Sequence, residues 1–179
     1  MSAILTARLL LRAPTADDAA SLFEIYGDPQ TNLYNPNGPY PSLEFARQRL
    51  DSWMDDWQRD GFGQWALALR DAPSTVIGFG GLAFTDYGGE MRLNLGYRFA
   101  PSAWGKGLAS EMGHAARDLA FRNLKAAAIY ARVRPANLPS IRVLDRLGFN
   151  YLELLSDIPG RPPSLVYTLK QEACNAKPA

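Results

Sequence analysis

Gly105-Lys106-Gly107, within the stretch Ala103-Trp104-Gly105-Lys106-Gly107-Leu108-Ala109-Ser110, is the part of the chain best suited to bind a charged ligand. It follows a strand-like run, Leu93 to Phe99, and opens a helix-like run that extends to about Asn123. A glycine-rich turn between strand and helix leaves several backbone N–H groups without acceptors, at the positive end of the helix dipole. Glycine lets phosphate oxygens approach the main chain closely. The expectation is a pyrophosphate cradle for a large cofactor. A second segment, Asn137 to Phe149, begins a helix with Asn137 and Ser140. Both are good capping residues, and Ser140 also offers a hydroxyl.

Two other motifs belong to different chemistry. Gly78-Phe79-Gly80-Gly81-Leu82-Ala83 matches the G-x-G-x-x-A dinucleotide fingerprint. That fingerprint requires a helix after the glycines, whereas here another strand follows. The glycines are expected inside a strand, where small residues permit close packing or a bulge. Gly105-Lys106-Gly107 lacks the four-residue gap and the following Ser/Thr of a P-loop, which argues against an ATPase or GTPase. His114 is the only histidine, and it falls on the polar side of its helix. Cys174 is the only cysteine; its position near the C-terminus argues against a covalent cysteine intermediate.

These residues must be held by a succession of elements. Leu5 to Arg12 reads as a strand ended by Pro14, and Thr15 starts a helix that stops near Gly27-Asp28-Pro29. Asn32 to Pro41 is a loop of turn formers carrying Tyr34 and Tyr40, a candidate wall for a substrate pocket. Ser42 caps a helix to about Arg59. Three strands follow with short turns (Gln64 to Arg70, Thr75 to Thr85, Glu90 to Phe99), a pattern for an antiparallel meander. After the helix from the glycine turn come a strand at Ala127 to Arg134, a helix at Asn137 to Leu147 ended by Gly148, and strands at Phe149 to Leu155 and Ser164 to Leu169. The order is β-α-α-β-β-β-α-β-α-β-β. It predicts one α/β (α+β) domain over residues 1–172 with a short tail at 173–179, built on a mixed, mostly antiparallel sheet of about seven strands with about four helices. The charge balance, 19 Lys and Arg against 18 Asp and Glu, gives no broad electrostatic handle for nucleic acid or anionic membranes. A single cysteine and the lack of a signal-like N-terminus fit a cytoplasmic protein.

Taken together, the pieces resemble the GCN5-related N-acetyltransferase (GNAT) superfamily, and within it the RimJ/RimL-like branch. The resemblance rests on Thr6 to Arg12 with Asp17-Asp18 and Asp28-Pro29, on Val76 to Leu82, on Leu95 to Pro101 followed by Trp104 to Glu111, and on Asn137 to Ser140 through Gly148-Phe149. It implies acetyl-CoA as cosubstrate, no metal, and a V-shaped split in the sheet between the strand ending at Phe99 and the strand from Ala127 to Arg134. The backbone of Tyr97, Arg98 and Phe99 would pair with the pantetheine arm. Trp104, Gly105, Lys106, Gly107, Leu108, Ala109 and Ser110 would surround the pyrophosphate. Asn137 would contact pantetheine, and Ser140 would protonate the leaving CoA thiolate. Trp104 is taken to stand where the family pattern Gln/Arg-x-x-Gly-x-Gly/Ala has its polar residue. Many relatives carry Glu where this chain has Asn94, which leaves Glu90 as the nearest carboxylate on the strand and the candidate base. Tyr34, Asn94 and Glu24 are the candidate acceptor-site residues. The implied reaction is acetyl transfer to an amine, either a protein N-terminus or a small molecule, by direct attack in a ternary complex. The alternative is a non-catalytic acyl-CoA sensor on the same fold. A monomer or homodimer is expected, with no nucleic-acid or membrane partner.

Overall fold

The structure is a computed structural model, and it describes residues 3–171. Cys174 and the tail at 173–179 lie outside the described residues. The strand expected at Leu5 to Arg12 is two strands, β1 (Ile4–Leu5) and β2 (Leu9–Arg12), paired antiparallel. Thr6 makes the turn between them: its N–H donates to the Leu9 carbonyl, and its Oγ1 accepts from the Leu9 N–H at 3.0 Å. This hairpin brings the sheet to eight strands where about seven were expected.

Thr15 caps a single tight turn, Ala16–Asp18, that leads into α1 (Ala19–Gly27). Asp18 is buried and accepts from Arg12 Nη1 and Nη2 at 2.8 and 2.7 Å and from the Thr15 N–H at 2.7 Å. Helix α2 (Leu43–Asp60) is capped by Ser42 and ended by Gly61, whose φ of 75° is left-handed. The meander is β3 (Gln64–Leu69), β4 (Ala72–Asp86) and β5 (Met91–Phe99). Then come α3 (Leu108–Asp118), whose last turn widens through Leu119–Asn123, and β6 (Ala128–Val133). Helix α4 (Leu138–Leu147), β7 (Asn150–Leu155) and β8 (Ser164–Lys170) complete the chain. The spatial order is β1-β2-β3-β4-β5-β6-β8-β7. All neighbours are antiparallel except β5 and β6.

Side chains alternate across a strand, so each face of the sheet has its own core. On one face Trp65, Leu67, Leu82, Leu93, Leu95 and Phe99 pack with Leu108, Met112, Leu144 and Leu147 of α3 and α4. On the other, Ala66 and Phe79 pack with Leu22, Ile25 and Tyr26 of α1 and Leu50 and Trp53 of α2. The glycines of the dinucleotide-like motif lie inside β4. A Cβ at Gly80 would sit 2.6 Å from Tyr97 Cβ, and one at Gly81 would sit 2.4 Å from the Gly63 carbonyl oxygen. Close packing thus explains these glycines, as the sequence implied. Among the described residues no helix is long and apolar enough to cross a membrane.

Asp18 yields a test of this packing. Burial alone would raise its pKa, but the hydrogen bonds from Arg12 and Thr15 outweigh burial and hold it below its usual 3.8. A depressed carboxylate contributes stability above its unfolded pKa and loses it as pH falls through the folded value. Asp18→Asn is expected to cost about 2 kcal/mol at pH 7. In urea unfolding the gap to wild type should close below about pH 4. A gap that persists unchanged at pH 3 would contradict this account.

Candidate active site

β5 and β6 run parallel and share a single rung, Asn94 opposite Tyr130. No second rung joins the two strands, which accords with the expected V-shaped split. The β4–β5 register is unbroken, with Phe79 opposite Arg98 and Gly80 opposite Tyr97, and the Ala100 N–H donates to the Ile77 carbonyl. Antiparallel hydrogen bonding alternates along a strand. The backbone groups of Asn94, Gly96 and Arg98 therefore turn toward β4, and those of Leu95, Tyr97 and Phe99 turn into the split. This corrects the expectation for Arg98: its backbone is spent on β4 and cannot serve as a pantetheine rung. The Phe99 carbonyl is also committed, because it accepts from Trp104 Nε1 at 2.9 Å. With Asn94 turned to β4, the rung uses the Leu95 N–H on Tyr130, so the free edge consists of the Leu95 carbonyl, Tyr97 and the Phe99 N–H.

The glycine loop forms the cradle at the wide end of the split. Gly105 and Gly107 have φ of 71° and 74°, conformations that side chains resist. Gly107 is the N-cap of α3, and no side chain caps that helix. The N–H groups of Leu108, Ala109 and Ser110 thus lack helical acceptors and face outward. Lys106 Nζ donates to the Ser102 carbonyl at 2.8 Å, so its ammonium is drawn back onto the loop. With Gly107 and Ala109 as the Gly-x-Gly/Ala of the family pattern, its Gln/Arg position falls three residues earlier, on Trp104. Trp104 is 46% exposed and ties the loop to the end of β5.

A support for the loop comes from the N-terminal hairpin, and nothing in the local sequence signals it. Arg8 Nη1 donates to the Lys106 carbonyl at 2.6 Å, and its Nε pairs with Glu111 Oε2 at 2.7 Å. Glu111 also accepts from Thr6 Oγ1 at 2.5 Å and from the Arg8 N–H at 2.7 Å. Burial would raise the Glu111 pKa, but these bonds to Thr6 and Arg8 together hold it low.

Asn137 caps α4 by accepting from the Ser140 N–H at 3.3 Å, which leaves its side-chain N–H₂ available. The hydroxyl of Ser140 neighbours Tyr97 from the far side of the split. Burial pushes the Tyr97 phenol above its usual value and Ser140 pulls it partly back, yet no hydrogen bond of ordinary geometry joins them. Tyr97 Oη and Ser110 Oγ are both buried without partners, one on β5 and one in the first turn of α3. Buried hydroxyls seldom remain unpaired, so each has hydrogen-bonding capacity to spare for a polar ligand. With the uncapped helix and the left-handed glycines, they fit a phosphorylated, amide-bearing arm such as that of acetyl-CoA.

At the narrow end of the split, Asn94 Oδ1 accepts from Tyr87 Oη at 2.5 Å. This fixes the amide so that Nδ2 points along the strand, 3.4 Å from where a Gly96 Cβ would be. Asn94 thus presents a donor, not a base. Glu90 does not replace it. Glu90 is exposed and bonds Arg92 Nη2 at 2.8 Å, which lowers its pKa. It also lies four residues before Asn94, about 13 Å along an extended strand. Glu24 is exposed on α1, opposite the buried Leu22, Ile25 and Tyr26, and the structure does not bring it to the split. Tyr34 is 39% exposed in the loop after α1. That loop is pinned to β5 by Arg98, whose Nη1 donates to Asn32 Oδ1 at 2.8 Å and whose guanidinium lies 4.3 Å from the Tyr26 ring centre. His114 lies on α3 beside Ile4, Leu5 and Asp118, away from the split.

Known proteins resemble this chain in sequence and in fold. The profile of the acetyltransferase (GNAT) domain family matches residues 8–150, and the chain belongs to this family. It is 31% identical over 157 residues to the uncharacterized N-acetyltransferase p20 of Bacillus licheniformis, covering 88% of this chain and 87% of that one. Among solved structures, a GNAT-family acetyltransferase from Bacillus anthracis superposes with a TM-score of 0.78 at 26% identity, covering 96% of this chain and 99% of the other. RimL, the ribosomal L7/L12 α-N-protein acetyltransferase solved with coenzyme A, superposes with a TM-score of 0.73 at 19% identity, covering 96% and 99%. With RimL the shared property is the fold.

If the cradle rests on backbone N–H groups, Gly107→Val should weaken acetyl-CoA binding about tenfold or more, since the left-handed backbone costs a branched residue roughly 1–3 kcal/mol. Lys106→Ala should change it by no more than about threefold, as expected for an exposed charge. Titration calorimetry compares the two; the reverse order would mean that the pyrophosphate lies elsewhere.

Proposed function

We propose that this protein transfers the acetyl group of acetyl-CoA to a primary amine, with both bound at once. The observation that carries this reading is the single-rung split, which leaves the Leu95 carbonyl and the backbone of Tyr97 unpaired beside an uncapped helix N-terminus. Family membership supports acetyl transfer, and the coenzyme A bound by RimL supports the choice of cosubstrate. The uncommitted amide of Asn137 is suited to the pantetheine arm. We assign the reaction to the cytoplasm on the composition of the chain.

When bound, acetyl-CoA supplies an acetyl group activated as a thioester. The Tyr97 N–H faces the split and is suited to polarise a carbonyl oxygen there, whereas the Leu95 N–H is spent on the rung with Tyr130. Asn94 Nδ2, held in orientation by Tyr87, adds a side-chain donor at the same end. Ser140 Oγ holds a proton available to the departing sulfur. No carboxylate hydrogen-bonds to Asn94, Tyr87 or Tyr130 among the described residues. The amine therefore loses its proton to solvent before or during attack, so the rate should rise with pH along the ionisation of the acceptor itself. Asn94 in place of a base is also what keeps the sensor alternative in view, and turnover decides between the two.

Ser140→Ala is expected to lower kcat about 100-fold while acetyl-CoA affinity changes less than about twofold. Free-thiol release and calorimetry measure the two quantities. Equal losses in both would make Ser140 a binding residue, and an absence of any acetyl-CoA binding by the wild type would end the acetyltransferase reading.

A further inference from the structure

The acceptor side of the split has a charge pattern that the reaction alone does not require. Two residues beyond the single rung stand Gly96 on β5 and Arg132 on β6, and two beyond those stand Arg98, still on β5, and Arg134, just past the end of β6. Residues two apart share a face, and this is the face of Phe79 and α1, opposite α3 and α4. Arg132, Arg98 and Arg134 thus follow the rung on this face of the two strands, Arg134 being mostly buried with its Nη1 donating to the Pro162 carbonyl at 2.9 Å. The only carboxylate that ion-pairs with any of these three among the described residues is Asp157, at 3.8 Å from Arg132 and 3.4 Å from Arg134. Asp157 also accepts from Ser164 Oγ at 2.9 Å, and its Oδ1 makes no hydrogen bond of good geometry. Asp86 gives Arg132 only its backbone carbonyl, at 3.4 Å, and spends its carboxylate on the Gly89 N–H. Arg98 has an amide and an aromatic face as partners, and no carboxylate. Arg92, deeper in, is already balanced by Glu90 and Glu153. Arg132 is exposed, and its guanidinium lies 5.0 Å from the Tyr87 ring centre, next to the residue that orients Asn94.

Three guanidiniums against one shared carboxylate form a surface that repels polycations and attracts carboxylates. We propose that the acceptor is a primary amine carrying a carboxylate within a few bonds, either a free amino acid or the start of an acidic peptide, and that Arg132 and Arg134 read that carboxylate. Polyamines and amino sugars, with several ammonium groups, are the acceptors this face disfavours. This inference rests on the acetyltransferase reading above and narrows its acceptor.

The test uses the full chain with saturating acetyl-CoA and measures free-thiol release. Four acceptors are compared: L-glutamate, the peptide amide Ala-Asp-Glu, the peptide amide Ala-Lys-Lys, and spermidine. At low salt, kcat/KM for the acidic peptide or for glutamate should exceed that for the lysine peptide and for spermidine at least tenfold, and the ratio should shrink as salt is added. Glutamate above Ala-Asp-Glu identifies a small amino acid as the source, and the opposite order a peptide. Arg132→Glu should reverse the acidic-over-basic preference through KM with acetyl-CoA affinity unchanged, and Arg132→Lys should restore most of it. Binding of the acetylated peptides to the CoA-loaded protein is measured in parallel. If none of the four turns over, tighter binding of the acidic product by tenfold upholds the proposal, and equal affinities overturn it. A preference for spermidine or the lysine peptide, or a charge reversal without effect, also overturns it while leaving the acetyltransferase reading intact. That reading fails on a different result, the absence of acetyl-CoA binding.

Discussion

The site depends on how little β5 and β6 share. A continuous ladder would close the sheet and use up the Leu95 carbonyl and the backbone groups of Tyr97. A gap with no rung would let the two halves move apart. One rung, Asn94 with Tyr130, joins the halves and leaves the remainder of β5 with unpaired donors and acceptors on one edge. Such an edge is unfavourable in an empty fold, and it persists because both halves are anchored independently. β5 is bound along its whole length to β4, and β6 is bound along its whole length to β8. Helices α3 and α4 bridge the split through one continuous apolar core that includes Leu108, Met112, Leu144 and Leu147. Their contact is tight: a Cβ at Gly113 would meet Leu147 Cδ1 at 2.4 Å.

The glycine loop shows the same division of labour. Its curvature is local, set by two left-handed glycines, but its position is not. Arg8 reaches it from the first hairpin, 98 residues earlier in the chain, and holds it through the Lys106 carbonyl while Glu111 holds Arg8. Trp104 fastens the other end to Phe99. The loop is thus clamped at both ends while the N–H groups between them stay free, which is the preorganisation an anion site needs.

How much of this was legible in the sequence follows from the range of each interaction. Elements set by local chemistry were readable, including the cap at Ser42, the stop at Gly148 and the alternation of Leu93, Leu95 and Tyr97. The hairpin at Thr6 was not, because a three-residue turn with one side-chain acceptor leaves no periodic trace. Gly105 and Gly107 were readable as a cradle, and the order of motifs carried the family. The misreadings came from pairings across the sheet. Arg98 was assigned a backbone role that only the β4–β5 register could exclude. Glu90 was a candidate base by proximity along the strand, without its ion pair to Arg92 in view. Glu24 required the helix phase of α1 to be seen facing solvent. The Arg8–Glu111 clamp joins residues 103 apart, so no single window of sequence contains it, and the Tyr87–Asn94 bond, though within seven residues, depends on how the turn between β4 and β5 folds back over the strand.

One further consequence follows from where the two kinds of recognition reside. The cofactor side is written in main chain, whose geometry is nearly indifferent to side-chain identity except at the glycines. The acceptor side, on the reading proposed above, is written in side chains such as Arg132 and Tyr34, neither of which is buried. Neither contributes to the two buried clusters. Replacing them alters no packed volume, so new acceptors are reachable by single substitutions at little cost in folding stability. Changes to the cradle, in contrast, run directly into backbone strain. Variation in what is acetylated can thus accumulate on this scaffold while the means of acetylating it stays fixed.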